Sequence, residues 1–325
     1  LAYPLLPQMP MTTPRIVFPN ATVLVTRRTL RRHHLFAPDS TIRQLYLYAL
    51  GVCAGHHGIL IHAVVLMSTH EHLVLTDTRG VLPDFLRDFH RLVALGTKII
   101  RKWEGAVWDH ERPSVVHLCT ADAIVEKIAY CMVNPVSSGL VMHARQWPGV
   151  ITEAGDLGSR VLRVHRPALF FDSDNPEWPD EVSIEYTMPP TLLDHGTAAE
   201  IRQRLDDERS RHEHQARTAT RSAGRRFLGA DRCSRLNPYR RAVSFEPLRS
   251  RNPQVAVGRH NHGMLKVAIA WLRTFRSAYR DALSRWRSGI RDVIFPSGTW
   301  LMRRFHCVNI EHVPAEASSC HDHCT

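Results

Sequence analysis

The sequence predicts an α+β fold built on a ferredoxin-like, split βαβ antiparallel sheet and followed by a mainly helical accessory region. Three observations lead to this prediction. Branched apolar runs between turn residues alternate with segments of helical apolar spacing up to residue 133. Their order is strand, helix, two strands, helix, strand, which is the order of a split βαβ sheet. Beyond Trp147 the chain changes character, because repeated prolines interrupt any long element.

The strands and helices of the predicted sheet domain are assigned by different signals. Branched apolar runs bounded by turn residues place the strands at residues 21–26, 59–67, 70–76 and 115–118. Apolar residues at helical spacing place the helices at residues 41–56, 82–101 and 121–133. In the second helix Phe85, Phe89 and Leu92 recur at that spacing. Pro83 falls in its first turn, where a missing N–H is tolerated.

The second half of the chain predicts fewer regular elements. Residues 160–172 look strand-rich, residues 197–217 read as a charged helix, and residues 265–290 read as an amphipathic helix. The amphipathic helix carries an apolar stripe of Val267, Trp271, Phe275, Tyr279, Leu283 and Trp286. Such a stripe is more often part of a core than a platform for stacking bases.

The charge of the chain predicts a polyanionic partner. It has 42 lysines and arginines against 31 acidic residues, a net charge of +11 and a pI of about 9.7. Residues 201–251 hold fourteen arginines, no lysine and six acids, and they include Arg225 and Arg226. Guanidinium groups bind phosphate bidentately, so this segment is a candidate DNA-binding surface, although a solvated charged helix or linker is the alternative.

A second basic cluster follows the first predicted strand. It consists of Arg27, Arg28, Arg31 and Arg32. At the mouth of the predicted sheet, such a cluster is a second candidate DNA-binding surface that would contact backbone phosphates. Charge alone predicts a polyanion and does not specify DNA.

The candidate site begins with two histidines on one predicted strand. Side chains alternate along a strand, so His70 and His72 project together and Glu71 points the other way. Two imidazoles make half of a divalent-metal site. Tyr130 and Asn134, at positions i and i+4 of the third predicted helix, share one face. Taken singly, a histidine pair on a strand and a tyrosine on a helix are more often ordinary surface or core residues.

Three separated segments resemble the one-tyrosine HUH transposases, and within them the transposases associated with repetitive extragenic palindromes (REP). They are VTRRTLRRHHLFAPD at residues 25–39, VVLMSTHEHLVLTD at residues 64–77 and YCMVNPVSSGLV at residues 130–141. The resemblance covers residues 14–150. It implies that His70 and His72 hold a Mg²⁺ or Mn²⁺ ion, that Tyr130 is the nucleophile, and that Asn134 completes the metal shell. Glu71 departs from the family, which has an apolar residue there.

The resemblance implies a metal-dependent, single-stranded DNA transposase and endonuclease. It would cleave and rejoin DNA beside hairpins through a 5′-phosphotyrosine intermediate, in the bacterial cytoplasm near the nucleoid. Single-stranded or hairpin DNA is the expected partner, and a homodimer that exchanges tyrosine helices is an open alternative. The implied division is a catalytic domain at residues 15–150, an accessory region at 151–310, and disordered ends at 1–14 and 311–325.

Two other functions are compatible with the residues. A domesticated or inactive relative would bind hairpin DNA without cutting it. An unrelated metal hydrolase would use His70, Glu71 and His72, but the zinc-protease motif needs its histidines one turn apart on a helix, and this pair is on a predicted strand.

The remaining signals concern compartment and membrane. Seven cysteines, odd in number and scattered, predict reduced thiols of the cytosol. The tail residues Cys320, His321, His323 and Cys324 are too crowded for a closed zinc tetrahedron and predict a disordered end. No apolar run reaches the roughly eighteen residues that would span a bilayer.

Overall fold

The computed structural model describes residues 14–243 and 253–311, and a five-stranded sheet lies at its centre. The expected disordered ends lie outside the described residues, apart from Pro14 and Glu311 at the edges, and so do the tail cysteines and histidines. Residues 244–251 of the arginine-rich segment also lie outside them. The strands of the sheet are β1 Ala21–Arg28, β2 Ile59–Met67, β3 His70–Asp77, β4 Ser114–Leu118 and β7 Val255–Ala256. The fold is therefore mixed α+β, as predicted.

The strand order is β2-β3-β1-β4-β7. The first four strands are antiparallel to their neighbours, and β7 runs parallel to β4 at the edge. The helices of the first half are α1 Ser40–His57, α2 Leu82–Arg101 and α3 Ala121–Ser137. All seven elements predicted between residues 21 and 133 are present.

Two predicted ends differ from the structure. β1 continues to Arg28 rather than to residue 26, because Arg28 pairs with His70 at the start of β3. α3 continues to Ser137 rather than to residue 133 and includes Pro135. Residues 133–136 are buried. This packing stabilises the last turn of α3, although Pro135 lacks a backbone N–H.

The two faces of the sheet are covered by different helices. Val23, Val25 and Leu73 pack in one core with α1 and α2. Leu24 and Val74 pack in a second core with α3 on the other face. This division follows from strand alternation, in which neighbouring residues point to opposite faces.

The chain beyond residue 150 is mainly helical and packs on this sheet domain. Its helices are α4 Pro190–Leu193, α5 Ala198–Ser222, α6 Ala230–Ser234, α7 His262–Arg287 and α8 Leu301–His306. Its strands, besides β7, are β5 Val161–His165, β6 Glu181–Glu185, β8 Ile294–Phe295 and β9 Asn309–Ile310. No helix in the described ranges is long and apolar enough to cross a membrane.

The predictions for this region are partly correct. The two long helices are present as α5 and α7. The stripe on α7 is buried at Phe275, Tyr279 and Leu283, whereas Val267 is exposed. The segment expected to be strand-rich keeps a strand only over β5. Pro167 follows two residues after that strand, and its missing N–H stops further pairing.

Close packing of α1 on α2 depends on Gly96. A β-carbon at Gly96 would overlap the side chain of Leu45, whereas a β-carbon at Gly55 of α1 would meet nothing within 4 Å. We expect Gly96→Ala to lower the free energy of unfolding by about 1–3 kcal/mol through overpacking. Gly55→Ala should leave it unchanged or raise it by up to about 1 kcal/mol through helix propensity. Urea denaturation measures both, and equal effects would contradict the close packing.

His62 of β2 gives the fold a pH dependence. Its Nε2 lies 2.7 Å from the hydroxyl oxygen of Thr76 and its Nδ1 lies 2.9 Å from the carbonyl oxygen of Thr187. Burial lowers the pKa of His62 to about 4. In the unfolded chain His62 has a pKa of about 6.5. The contribution of the neutral His62 to the free energy of unfolding is therefore fully present above that pH and is lost as the pH falls toward about 4.

The expected loss is about 2 kcal/mol between about pH 7 and pH 4.5. In His62→Gln this contribution is absent, so the urea midpoint of the variant should depend less on pH than that of the wild type. Parallel curves of midpoint against pH would show that His62 does not titrate in this range.

Candidate active site

His70 and His72 lie on one face of β3, next to the C-terminal end of β1. In the register of these strands Arg28 stands opposite His70, and Thr26 stands opposite His72. The two imidazole rings are 4.9 Å apart, centroid to centroid, and nearly perpendicular. His72 is buried, and His70 is partly exposed. The sequence prediction that both project together agrees with this geometry.

The orientation of His72 is fixed by β1. The hydroxyl oxygen of Thr26 lies 2.7 Å from Nδ1 of His72, which leaves Nε2 directed at the site. Burial, with smaller contributions from His70 and Arg28, holds the pKa of His72 well below its ordinary value. The ring is therefore neutral at physiological pH, which is the form that binds a metal ion.

Helix α3 brings Tyr130 to the histidines. The side chain of Thr120 caps α3 by accepting a hydrogen bond from the backbone N–H of Ala123. Ile124 and Ile128 bury the inner face of α3 in the second core. The Tyr130 hydroxyl oxygen lies 3.4 Å from Nε2 of His72, and the side chain is 40% exposed. A phenol that is both held and accessible can meet a substrate phosphate.

Asn134 lies one helical turn beyond Tyr130. It is 5% exposed, and its Oδ1 is buried with no hydrogen-bond partner in the described part of the chain. A buried amide oxygen without a donor is costly unless a ligand satisfies it. Two imidazoles and one amide oxygen are donor types that suit a divalent cation such as Mn²⁺ or Mg²⁺.

No group of three or more His, Cys, Asp or Glu side chains within residues 14–243 and 253–311 could hold a metal ion by itself. Any ion at His70 and His72 would therefore need Asn134 or oxygens of a substrate to complete its shell. The residues present fit a partial, open metal site, which is the kind that leaves positions for a substrate.

Glu71 lies on the opposite face of the sheet from the two histidines, as the alternation predicts. Its contacts within the described residues are to a tyrosine and a histidine. Glu71 is fully buried, accepts a hydrogen bond of 2.7 Å from the Tyr46 hydroxyl, and lies 2.5 Å from Nε2 of His90. Arg27 stands across from Glu71 in the strand register.

This geometry removes Glu71 from the candidate metal site. A hydrolase that used His70, Glu71 and His72 together would need the three side chains on one face, and they are on two. Burial and the Glu71 carboxylate raise the pKa of Tyr46 well above its ordinary value, so Tyr46 remains a donor. Glu71 is thus a core residue that ties β3 to α1 and α2.

The three predicted pairs of DNA-binding arginines lie in four places. Arg28 is exposed on the histidine face, whereas Arg27 is on the other face with its guanidinium 5.0 Å from the centre of the Trp108 ring. A short 3-10 turn at Leu30–Arg32 carries the second pair, with positive φ at both arginines, Arg31 and Arg32. The last pair, Arg225 and Arg226, is exposed between α5 and α6.

The structure brings together His70, His72, Tyr130 and Arg28, and it adds residues that the sequence did not indicate. Thr26 orients His72, and its role depends on the pairing of β1 with β3. Alternation places Thr26 on the same face as Arg28, so a known register would have been sufficient to find it.

The comparisons with known proteins are sparse. No family model and no curated protein matches the chain. Among solved structures it is similar to a REP-associated tyrosine transposase bound to a REP hairpin, with 17% identity and a TM-score of 0.38. The similarity covers 46% of this chain and 85% of that one. A TM-score this low does not support a function. Any functional proposal must therefore rest on the side chains of the site.

The buried contacts of Glu71 lead to a stability prediction. Glu71→Ala leaves the donors of Tyr46 and His90 buried without an acceptor, and we expect the free energy of unfolding to fall by about 3–5 kcal/mol. Tyr46→Phe removes one hydrogen bond and should cost only about 1–2 kcal/mol. Urea unfolding at neutral pH compares the two, and a Glu71→Ala cost no larger than that of Tyr46→Phe would contradict this account.

Proposed function

We propose that the chain is a metal-dependent, single-stranded DNA transposase that cleaves and rejoins DNA beside hairpins through a 5′-phosphotyrosine intermediate. The observation that carries the proposal is the 3.4 Å approach of the Tyr130 hydroxyl oxygen to Nε2 of His72. An accessible phenol beside two adjacent imidazoles is what nucleophilic attack on a metal-bound phosphodiester requires. The net charge of +11 supports a polyanionic substrate.

Within this proposal His70, His72 and Asn134 would hold the cation. A Mg²⁺ or Mn²⁺ ion held there would supply charge neutralisation at the scissile phosphate. Thr26 keeps the His72 ring in its ligand orientation through the 2.7 Å contact at Nδ1. Arg28, opposite His70 in the strand register, binds a phosphate next to the cut.

The reaction is a transesterification. The Tyr130 oxygen forms a bond to phosphorus while the bond from phosphorus to the 3′ oxygen of the preceding nucleotide breaks. The phenolic proton leaves to solvent, and the departing 3′ oxygen takes a proton from solvent. The energy of the broken bond is retained in the tyrosyl ester, so attack by a 3′ hydroxyl reverses the step and rejoins DNA without ATP.

We also propose that the sheet is of the ferredoxin-like, split βαβ class. In support, β3 lies between β1 and β2 and is antiparallel to both, and β4 lies on the other side of β1. Cross-strand amide contacts measured by NMR would overturn the classification if they paired β1 directly with β2.

The central experiment detects the covalent intermediate. The full chain is incubated with labelled single-stranded hairpin oligonucleotides and Mn²⁺ or Mg²⁺, and a denaturing gel reports a protein–DNA adduct. We expect an adduct that requires metal and is absent in Tyr130→Phe. Tyr239→Phe is the matched control, because Tyr239 is an exposed tyrosine outside the site.

Adduct formation by the Tyr130→Phe protein would refute the assignment of the nucleophile. Tight hairpin binding by the wild-type protein without any adduct would refute cleavage and would favour a DNA-binding protein that does not cut. His70→Ala should also abolish the adduct while leaving DNA binding nearly unchanged, because it removes a metal ligand and retains the basic surface.

A further inference from the structure

A large cleft lies on the other face of the sheet from Tyr130. It has a volume of about 1380 Å³ and is lined by α2, by the residues before and within β4, and by α7 and α8. Its lining includes Arg27, which points to the same side of β1 as Val23 and Val25. The sheet domain therefore forms one wall, and the accessory region forms the other.

The lining of this cleft is strongly basic. Eight arginine side chains line it, against two carboxylates, Asp84 and Glu111. Among these eight, and counting only described residues, Arg87 alone forms an ion pair with a carboxylate, to Asp84 and to Asp88. Within the described ranges, seven of the eight arginines that line the cleft therefore form no ion pair with a carboxylate.

Helix α7 presents three of these arginines as a row. Arg273, Arg276 and Arg280 are spaced by three and four residues, which places them on one face of the helix, and all three line the cleft. The neighbouring Phe275 and Tyr279 are buried in a further apolar cluster that also contains Phe18 and Phe295. The apolar stripe that fixes α7 to the molecule therefore also directs the arginine row into the cleft.

Two guanidinium groups in the cleft have an unused buried donor. Nε of Arg27 and Nε of Arg276 are each buried without a hydrogen-bond partner among the described residues. Arg276 is held in place by donating to Oε1 of Gln254 at 2.6 Å. Burial lowers the pKa of Arg15 and of Arg27. The Arg112 charge lowers the pKa of Arg15 further and Asp84 raises it, whereas for Arg27 the Glu71 carboxylate raises the pKa and the Arg15 charge lowers it by repulsion. An anion in the cleft would satisfy the donors and relieve this repulsion.

Aromatic side chains stand beside the arginines. Phe305 of α8 is 62% exposed, and its ring lies 5.7 Å from that of Trp300, centroid to centroid. Both line the cleft, and the Arg15 guanidinium lies 6.0 Å from the centre of the Trp300 ring. A cleft lined by both aromatic rings and arginines offers surfaces on which unpaired bases stack while their phosphates are bound.

We propose that this cleft binds a single-stranded nucleic-acid segment, with its phosphates on the arginines of α7 and α2 and its bases against Phe305 and Trp300. The site goes beyond the proposed cleavage reaction, because it lies on the opposite face of the sheet from Tyr130. It gives the accessory region a function, since α7 and α8 supply one wall. Single strand is favoured over duplex because paired bases cannot stack on a side chain.

The test measures binding without cleavage. Fluorescence anisotropy follows a labelled oligothymidylate of about twenty nucleotides, in the absence of divalent metal, with the full chain carrying Tyr130→Phe. In that background, Arg273→Gln with Arg280→Gln should weaken binding about tenfold and reduce the slope of log affinity against log salt by about 1.4, as expected for two lost phosphate contacts on a single strand. Both arginines are exposed, so neither change disturbs the core.

The matched control changes net charge equally. Arg43→Gln with Arg163→Gln removes two exposed arginines that do not line the cleft, and binding should weaken less than about twofold. Phe305→Ala should weaken binding of the single strand about fivefold and leave binding of a fully paired duplex unchanged, because it removes only stacking.

Three results would overturn the proposal. If the cleft variant and the control variant lost the same amount of affinity, the loss would be explained by net charge alone. Equal losses for single strand and duplex, with no effect of Phe305→Ala, would assign the cleft to duplex backbone instead. Unchanged binding in every variant would exclude the cleft from nucleic-acid binding. None of these results depends on an adduct at Tyr130, so failure of the cleavage proposal is detected separately.

Discussion

The alternation of side chains along β3 is the constraint on which both faces of the molecule depend. His70 and His72 face α3, and Glu71 between them faces α1 and α2. β3 pairs with β1 on one side and with β2 on the other. A shift of this strand register by one residue would turn the two histidines toward α1 and α2 and would place Glu71 at the candidate metal site. The contacts of Glu71 with Tyr46 and His90 fit only one register, so the buried carboxylate specifies the position of the two histidines.

The candidate site is formed by β3 and by α3, and packing against the sheet holds α3 in place. Ile124 and Ile128 bury one side of α3, and the other side carries Tyr130 to within 3.4 Å of His72. Burial keeps His72 neutral, and Thr26 keeps its ring oriented. The geometry therefore gives a preorganised imidazole and an accessible phenol, with the unsatisfied oxygen of Asn134 one turn away. In the proposed reaction a substrate phosphate would approach the exposed side of Tyr130.

The face of the sheet away from Tyr130 is basic because arginines from two parts of the chain meet there. Arg27 projects there because it neighbours Arg28 along β1, and α7 adds its row of arginines because its apolar stripe is buried on the adjacent side. One arginine pair at the end of a strand thus contributes to two surfaces, the histidine side and the cleft. The two surfaces are separated by the sheet, so nucleic acid bound to both would have to pass around its edge.

The sequence by itself determined the seven elements up to residue 133, the two long helices that follow, and the shared face of His70 and His72, because these depend on local periodicity. Helical spacing also predicted that Tyr130 and Asn134 share one face of their helix, whereas their proposed roles came from the resemblance. The tertiary structure decided the rest. The pairing of Thr26 with His72, the burial of Glu71 beside Tyr46 and His90, and the separation of Arg27 from Arg28 onto opposite faces all depend on strand register and helix packing. The basic cleft could not be read from the chain, since its arginines come from segments more than two hundred residues apart that only folding brings together.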